Sequence, residues 1–246
     1  MNSQSTVTLV LLPGMEGSGE FFAPLLQFLG ASINTQVIPF PQDNVLTYEQ
    51  LTDFVKKQVP LHTPYVLLGE SFSGPIAVSI AAPKPPNLIG LILVGTFIRS
   101  PLPLPPSLWN TVCRLPPSWL PFRFVAWFLL NGYGTRELLS QLYTVLSGIP
   151  DRVMQERLRS ILEVDVSKEA TAINVPMLYI RASQDKIVPR SASELILSFQ
   201  PAMQIAEMNG PHFILQIQPK TATGIILRFI QGLIDGENRL RIIPIN

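Results

Sequence analysis

A serine set among small residues is the first feature of this chain that could do chemistry. An unbroken apolar run, Tyr65 to Leu68, meets Gly69-Glu70-Ser71-Phe72-Ser73-Gly74 and continues to Ala82 as small apolar residues at helical spacing. This reads as a buried strand, a sharp turn and a helix, with Ser71 at the apex. A residue at such a turn is held in a strained conformation, and the helix behind it must pass close to the strand, so only small neighbours fit. Gly69 and Gly74 meet that demand, and the fifth position of the Gly-x-Ser-x-Gly pattern carries Ser73, which is still small. Such a turn can also be a plain connection. What decides is whether partners exist for the hydroxyl, a poor nucleophile at neutral pH until a base takes its proton. Only two histidines, His62 and His212, are available.

The elements that must position these groups alternate. Val7 to Leu12 is a strand, and Glu20 to Gly30 carries Phe21, Phe22, Leu25, Leu26 and Leu29 at helical spacing. The glycine-rich loop between them, Pro13 to Gly19, can approach a ligand closely, but it lacks the Lys-Ser/Thr and the Gly-x-Gly-x-x-Gly spacing of phosphate-binding loops. Gln36 to Phe40 reads as a second strand and Thr47 to Val59 as an amphipathic helix capped by Thr47. Leu88 to Val94, Pro176 to Arg181 and Met203 to Met208 read as further strands, with helices over Arg190–Phe199 and about Thr221–Ile234. Continuous apolar strands alternating with helices imply a parallel sheet covered on both faces, whose ligands lie beyond the carboxyl ends of its strands. Ser71 falls on that edge.

From Phe97 to about Val166 the alternation stops. Helices broken by prolines are expected over Ser107–Leu115, Ser118–Asn131, Thr135–Ser147 and Pro150–Val164, a helical cap (97–166) inserted into a core formed by 1–96 and 167–246. The segment holds Trp109, Trp119, Phe122, Phe124, Trp127, Phe128 and Tyr143. Most of these are expected to pack the cap onto the core, and a few to line an apolar pocket.

Composition narrows the function. With 47% apolar and 14% charged residues and a net charge of +1, the 246-residue chain is suited to one large core and poorly suited to nucleic acid or an anionic surface. One cysteine, Cys113, excludes an internal disulfide and points to the cytoplasm. The first residues lack a basic signal-peptide region, and Phe122 to Leu130, interrupted by Arg123, is too short to span a bilayer. No transmembrane segment is expected.

Four signals in order carry a resemblance: Leu11-Leu12-Pro13-Gly14-Met15 after the first strand, the turn at Ser71, Ser183-Gln184-Asp185-Lys186-Ile187-Val188-Pro189 after the penultimate strand, and Gly210-Pro211-His212-Phe213 after the last. The chain resembles the α/β-hydrolase superfamily, in particular small bacterial-type serine esterases with a helical cap. The resemblance implies a doubly wound, mostly parallel sheet of about six strands. It implies Ser71 as nucleophile, His212 as general base and then acid, and Asp185 as the group that orients the imidazole. Asp165, where the cap rejoins the core, competes for the acid role, and motif position favours Asp185. His62 is expected at the far end of the sheet, and the Glu70 side chain is expected to point away from the active face and support the turn.

The oxyanion hole then falls to the backbone N–H groups of Phe72 and Met15, because Pro13 has none. The family's Asp-x-Pro-Gly-x-Gly-x-Ser segment is replaced by Ile38-Pro39-Phe40-Pro41-Gln42-Asp43, and the family's opening antiparallel strands are not expected. Phe97, Trp109, Trp127 and Phe213 are candidates for the substrate pocket. The function implied is cleavage of small apolar carboxylic esters through an acyl-enzyme, with no metal or organic cofactor. A thioesterase or acyltransferase using the same residues is the alternative, and a non-catalytic ligand-binding module the third reading.

Overall fold

The computed structural model describes residues 7–236, apart from residues 103, 104, 106, 109, 110, 112 and 113. Strand β1 (Thr8–Leu12) is followed by α1 (Ala23–Leu29), β2 (Asn34–Val37), α2 (Tyr48–Lys56), β3 (Tyr65–Glu70), α3 (Gly74–Ala81) and β4 (Leu88–Val94). Between β4 and β5 (Met177–Ala182) come α4 (Phe122–Leu130), α5 (Arg136–Ser147), α6 (Asp151–Glu163) and α7 (Ser167–Ala172). The chain continues with α8 (Arg190–Phe199), β6 (Gln204–Met208), α9 (Ile214–Ile217) and α10 (Pro219–Ile234).

The six strands form one sheet in the order β2-β1-β3-β4-β5-β6, every neighbouring pair parallel. Because strand side chains alternate between faces, the continuous apolar runs feed two cores. Val10, Leu12, Leu67, Leu91, Leu93 and Tyr179 pack with Leu51 and Val55 of α2, Ile76 and Ile80 of α3, and Ile196 of α8. Leu9, Leu11, Val66, Leu68, Ile92 and Ile180 pack on the other face with Leu25 and Leu29 of α1 and Ile226 and Phe229 of α10. Each fully buried side chain of this size contributes roughly 2 kcal/mol. Helices on both faces make the fold doubly wound, as the sequence implied.

From β1 the chain moves outward to β2, then crosses back over β1 to β3, so the connections leaving β1 and β3 diverge and open a crevice at their carboxyl ends. Leu12 pairs with Gly69, which sets the Pro13–Gly19 loop directly opposite the turn at Ser71. At the β6 end of the sheet, Glu207 is held by Arg181 and Arg190.

Several boundaries differ from expectation. β2 ends at Val37, just before Pro39, which has no N–H to extend the ladder; Ile38 and Phe40 are apolar as core residues of the following loop, not as strand residues. The helix expected over Ser118–Asn131 is a 3-10 turn, Pro117–Trp119, and then α4, separated by Pro121, whose ring forbids an uninterrupted helix. The short helices α7 and α9 carry too little periodicity to be read from the sequence. The helix expected over Ser107–Leu115 lies partly outside the described residues. A third cluster joins Ala126 and Leu130 of α4 and Leu142 and Val145 of α5 to Phe21, with Phe213 packed against it. Among the described residues no helix is long and apolar enough to cross a membrane.

Candidate active site

Ser71 has φ 49°, the left-handed region that costs a residue with a side chain about 1–3 kcal/mol. The surroundings enforce it. Thr96, just beyond β4, donates its hydroxyl to the Ser71 carbonyl and leaves no room behind the turn: a Cβ on Gly74 would stand 2.6 Å from Thr96 Cγ2 and 2.7 Å from its Cβ. Ser73 is fully buried, and its hydroxyl, 2.8 Å from the Leu12 carbonyl and 3.0 Å from that of Glu70, is one donor shared between two acceptors. The serine in place of the pattern's last glycine thus ties the turn to the end of β1.

The loops after β5 and β6 bring a carboxylate and an imidazole to this hydroxyl. His212 Nε2 lies 2.8 Å from Ser71 Oγ, and His212 Nδ1 lies 2.7 Å from Asp185 Oδ2. The other Asp185 oxygen accepts from the backbone N–H groups of Ile187 and Val188, both at 2.8 Å, which fixes the carboxylate plane. A carboxylate facing Nδ1 keeps the proton there and leaves Nε2 free to accept from Ser71. Burial opposes charge on His212, but the charge and hydrogen bond of Asp185, with the more distant Glu70, outweigh it and raise the imidazole pKa above 6.5.

The other candidates lie elsewhere. His62 is exposed and precedes β3, at the opposite end of the sheet. Asp165 is exposed, pairs with Arg99 at 2.9 Å and accepts from the Ser167 N–H; that hydrogen-bonding to Ser167, together with Arg99, holds its carboxyl below the usual range. Glu70 turns into the protein, where Gln216 of α9 donates to it at 3.0 Å, and burial raises its pKa.

Among the described residues the backbone N–H groups of Met15 and Phe72, beside Ser71, have no acceptor. Gly17 N–H donates to the Gly14 carbonyl at 3.1 Å, and in a trans peptide this aims the Met15 N–H the opposite way. The loop lies over the serine, since a Cβ on Gly14 would be 3.8 Å from Ser71 Cβ. The peptide that carries the Phe72 N–H is held through its Ser71 carbonyl by the Thr96 hydroxyl, and the next peptide is steadied from the other side. Tyr48 donates its hydroxyl to the Phe72 carbonyl at 2.8 Å and stacks on the Phe72 ring at 4.6 Å. Met15 packs its side chain against the core.

Of the residues considered for a pocket, Phe97 is buried, Trp109 lies outside the described residues, and Trp127 is half exposed with Lys186 Nζ 3.2 Å above its ring. Phe213 meets Phe21 edge to face at 5.2 Å, next to His212. Sequence reasoning missed Arg157, Glu16 and Gln184. Arg157 and Glu16 are buried around the Pro13–Gly19 loop, and Gln184 links the loops of Asp185 and His212 to Asn131 and Tyr133. The one sequence signal was Arg157 recurring four residues after Val153, on the apolar side of α6. Among the described residues no group of three or more His, Cys, Asp or Glu could hold a metal ion.

A parallel sheet with a serine turn at its switch point, followed by acid and histidine loops at the same edge, is the arrangement of the α/β-hydrolase fold, and the chain belongs to that superfamily. The chain belongs to the Hydrolase_4 family, serine aminopeptidase, S33, which matches residues 30–207. It is 24% identical over 250 residues to the biotin biosynthesis bifunctional protein BioHC of Cellvibrio japonicus, covering 95% of this chain and 49% of that protein. It is 33% identical over 111 residues to phytyl ester synthase 1, chloroplastic, of Arabidopsis thaliana, covering 41% of this chain and 16% of that one. The chain therefore spans half or less of the length of these curated relatives. In fold it is similar to the enol-lactonase of Burkholderia xenovorans LB400, with a TM-score of 0.81, 17% identity and 94% of each chain covered.

Proposed function

We propose that the protein cleaves carboxylic esters through an acyl-enzyme, with Ser71 as nucleophile, His212 as acid and base, and Asp185 as orienter. The observation that carries this reading is the unbroken chain of contacts from Ser71 Oγ through His212 to a carboxylate whose other oxygen is occupied. Ser71 Oγ attacks the ester carbonyl carbon as its proton passes to His212 Nε2, and the N–H groups of Met15 and Phe72 receive the negative oxygen. Collapse expels the alcohol, which takes the proton from His212. Water then repeats the sequence on the acyl-enzyme, giving its proton to His212, and Ser71 recovers a proton as the acid leaves. The relay supplies nucleophile, base and oxyanion donors, so no cofactor enters.

The segment 97–166 serves as a cap over this edge, and Phe213, Trp127 and Phe97 are the apolar side chains assigned to the acyl or alcohol group of a small substrate. A single cysteine suits a reducing compartment, the cytoplasm. The similarity to a phytyl ester synthase favours a second reading, in which an alcohol replaces water and the acyl group is transferred. A fluorophosphonate probe should label the wild type at Ser71 and leave Ser71→Ala, folded, unlabelled; a folded, unlabelled wild type points to a binding module. Asp185→Asn should lower kcat by about 10⁴, as in serine proteases. If Asp165→Asn is the more damaging change, the acid has been misassigned. Rates on p-nitrophenyl esters against acyl-CoA thioesters, each with and without added alcohol, separate hydrolysis of esters from thioester cleavage and transfer.

A further inference from the structure

One buried cation joins the helices between β4 and β5 to the backbone that faces Ser71. Arg157, on the buried side of α6 and 2% exposed, sends its guanidinium out of the helix to the Pro13–Gly19 loop. There Nη1 donates to the Met15 carbonyl at 2.7 Å and Nη2 to the Pro41 carbonyl at 3.0 Å. Among the described residues the Met15 carbonyl has no other hydrogen-bond donor. The loop is shaped around this group: Gly17 has φ 72°, and a Cβ there would stand 2.9 Å from both Nη1 and Nη2. Among the described residues no carboxylate is hydrogen-bonded to the guanidinium. The charge that acts on it, Glu16, sits in the same loop and is itself buried. A cation placed this deep, fastened to carbonyls and not to an acid, is costly as a mere staple and suited to fixing the direction of peptide planes.

Those planes are the ones the reaction uses. The Met15–Glu16 peptide is held by Arg157, and the preceding Gly14–Met15 peptide, which carries the Met15 N–H, is held by Gly17. Both restraints converge on Gly17, which Arg157 packs against. We propose that Arg157 is a positioning residue that aims the Met15 N–H at the developing oxyanion, so that the seating of α6 on the loop sets the rate of the chemical step. The inference rests on the hydrolytic reading above and adds to it a control point in the insertion.

The test uses Arg157→Met, which keeps the apolar stem and removes the guanidinium with its two donors, with Arg157→Lys beside it. Measured are kcat and KM on a p-nitrophenyl ester and the affinity for an alkyl boronic acid, whose tetrahedral adduct on Ser71 carries the oxyanion's charge. Arg157→Met should lower kcat and boronate affinity together by about 10- to 100-fold, less than or equal to the loss of a whole oxyanion donor, with KM nearly unchanged. Arg157→Lys should fall between, and millimolar guanidinium should restore part of the Arg157→Met loss. A residue needed only for stability would lower the melting temperature and leave both readouts intact; that result in a folded variant overturns the proposal. Should Arg157→Met not fold, Gly17→Ala pushes on the same guanidinium from the loop side. A joint fall in kcat and boronate affinity then supports the proposal, and wild-type values overturn it. An active wild type that ignores position 157 refutes the positioning role alone, whereas a wild type that neither hydrolyses esters nor takes the fluorophosphonate removes both.

Discussion

His212 must be neutral to accept a proton, and burial alone favours the neutral form. Asp185 reverses that balance, so the ester-hydrolysis rate should climb as pH rises through a midpoint above 6.5. In Asp185→Asn the burial effect is left less opposed, and the residual activity should have its midpoint shifted toward acid. A pH–rate profile whose midpoint is the same in both proteins would mean that another group is the base. Glu16 titrates in the opposite sense for stability. Burial first, then the neighbouring Glu70 charge, push its carboxyl from 4.5 up to about 7. The folded protein therefore holds a proton there that the unfolded chain releases above 4.5. Its contribution to stability is complete below pH 4.5 and is lost as pH rises to about 7, a fall of roughly 3 kcal/mol. Glu16→Gln cannot lose that proton. Urea denaturation should give it a flatter stability profile between pH 4.5 and 7 than the wild type, and equal slopes would show that Glu16 is not the group responsible.

At the level of elements, the readable parts were those where local sequence and packing agree. Thr47 caps α2 as its position suggested: its Oγ1 accepts from Gln50 N–H at 3.3 Å, and the Gln50 side chain accepts from Thr47 N–H at 3.0 Å. Thr47→Ala should cost about 1 kcal/mol, seen as a melting temperature lower by about 2–4 °C, with activity unchanged. Ser71, Asp185 and His212 could be picked out because each follows a strand, and parallel strands deliver such residues to one edge. Ile38 and Phe40 were misread as strand because a core residue in a loop and one in a strand look alike in a short run. Arg157, Gln184 and Glu16 left almost no trace. Their partners are backbone atoms or side chains distant in sequence, such as Met15 for Arg157 and Asn131 for Gln184, and no period or motif encodes such a meeting.

Across the whole molecule the helices between β4 and β5 are fastened to the sheet at the edge that holds Ser71, Asp185 and His212. Gln184 donates its backbone N–H to the Gly210 carbonyl and its side-chain amide to Tyr133 and Asn209, while accepting from Asn131 at the end of α4. Leu129 accepts from the N–H of Phe213 as well. Gln184→Ala should therefore lower kcat about tenfold by loosening the spacing of Asp185 and His212, while costing only about 1–3 kcal/mol of stability. An unchanged kcat in a destabilised variant would confine Gln184 to a structural role. The rim of the sheet has a further consequence. Among the described residues β6 pairs only with β5, and Glu207 near its carboxyl end is locked between Arg181 and Arg190. A strand from another molecule laid along β6 would have to strip water from this charged knot, so the protein carries its own safeguard against fibre-like stacking.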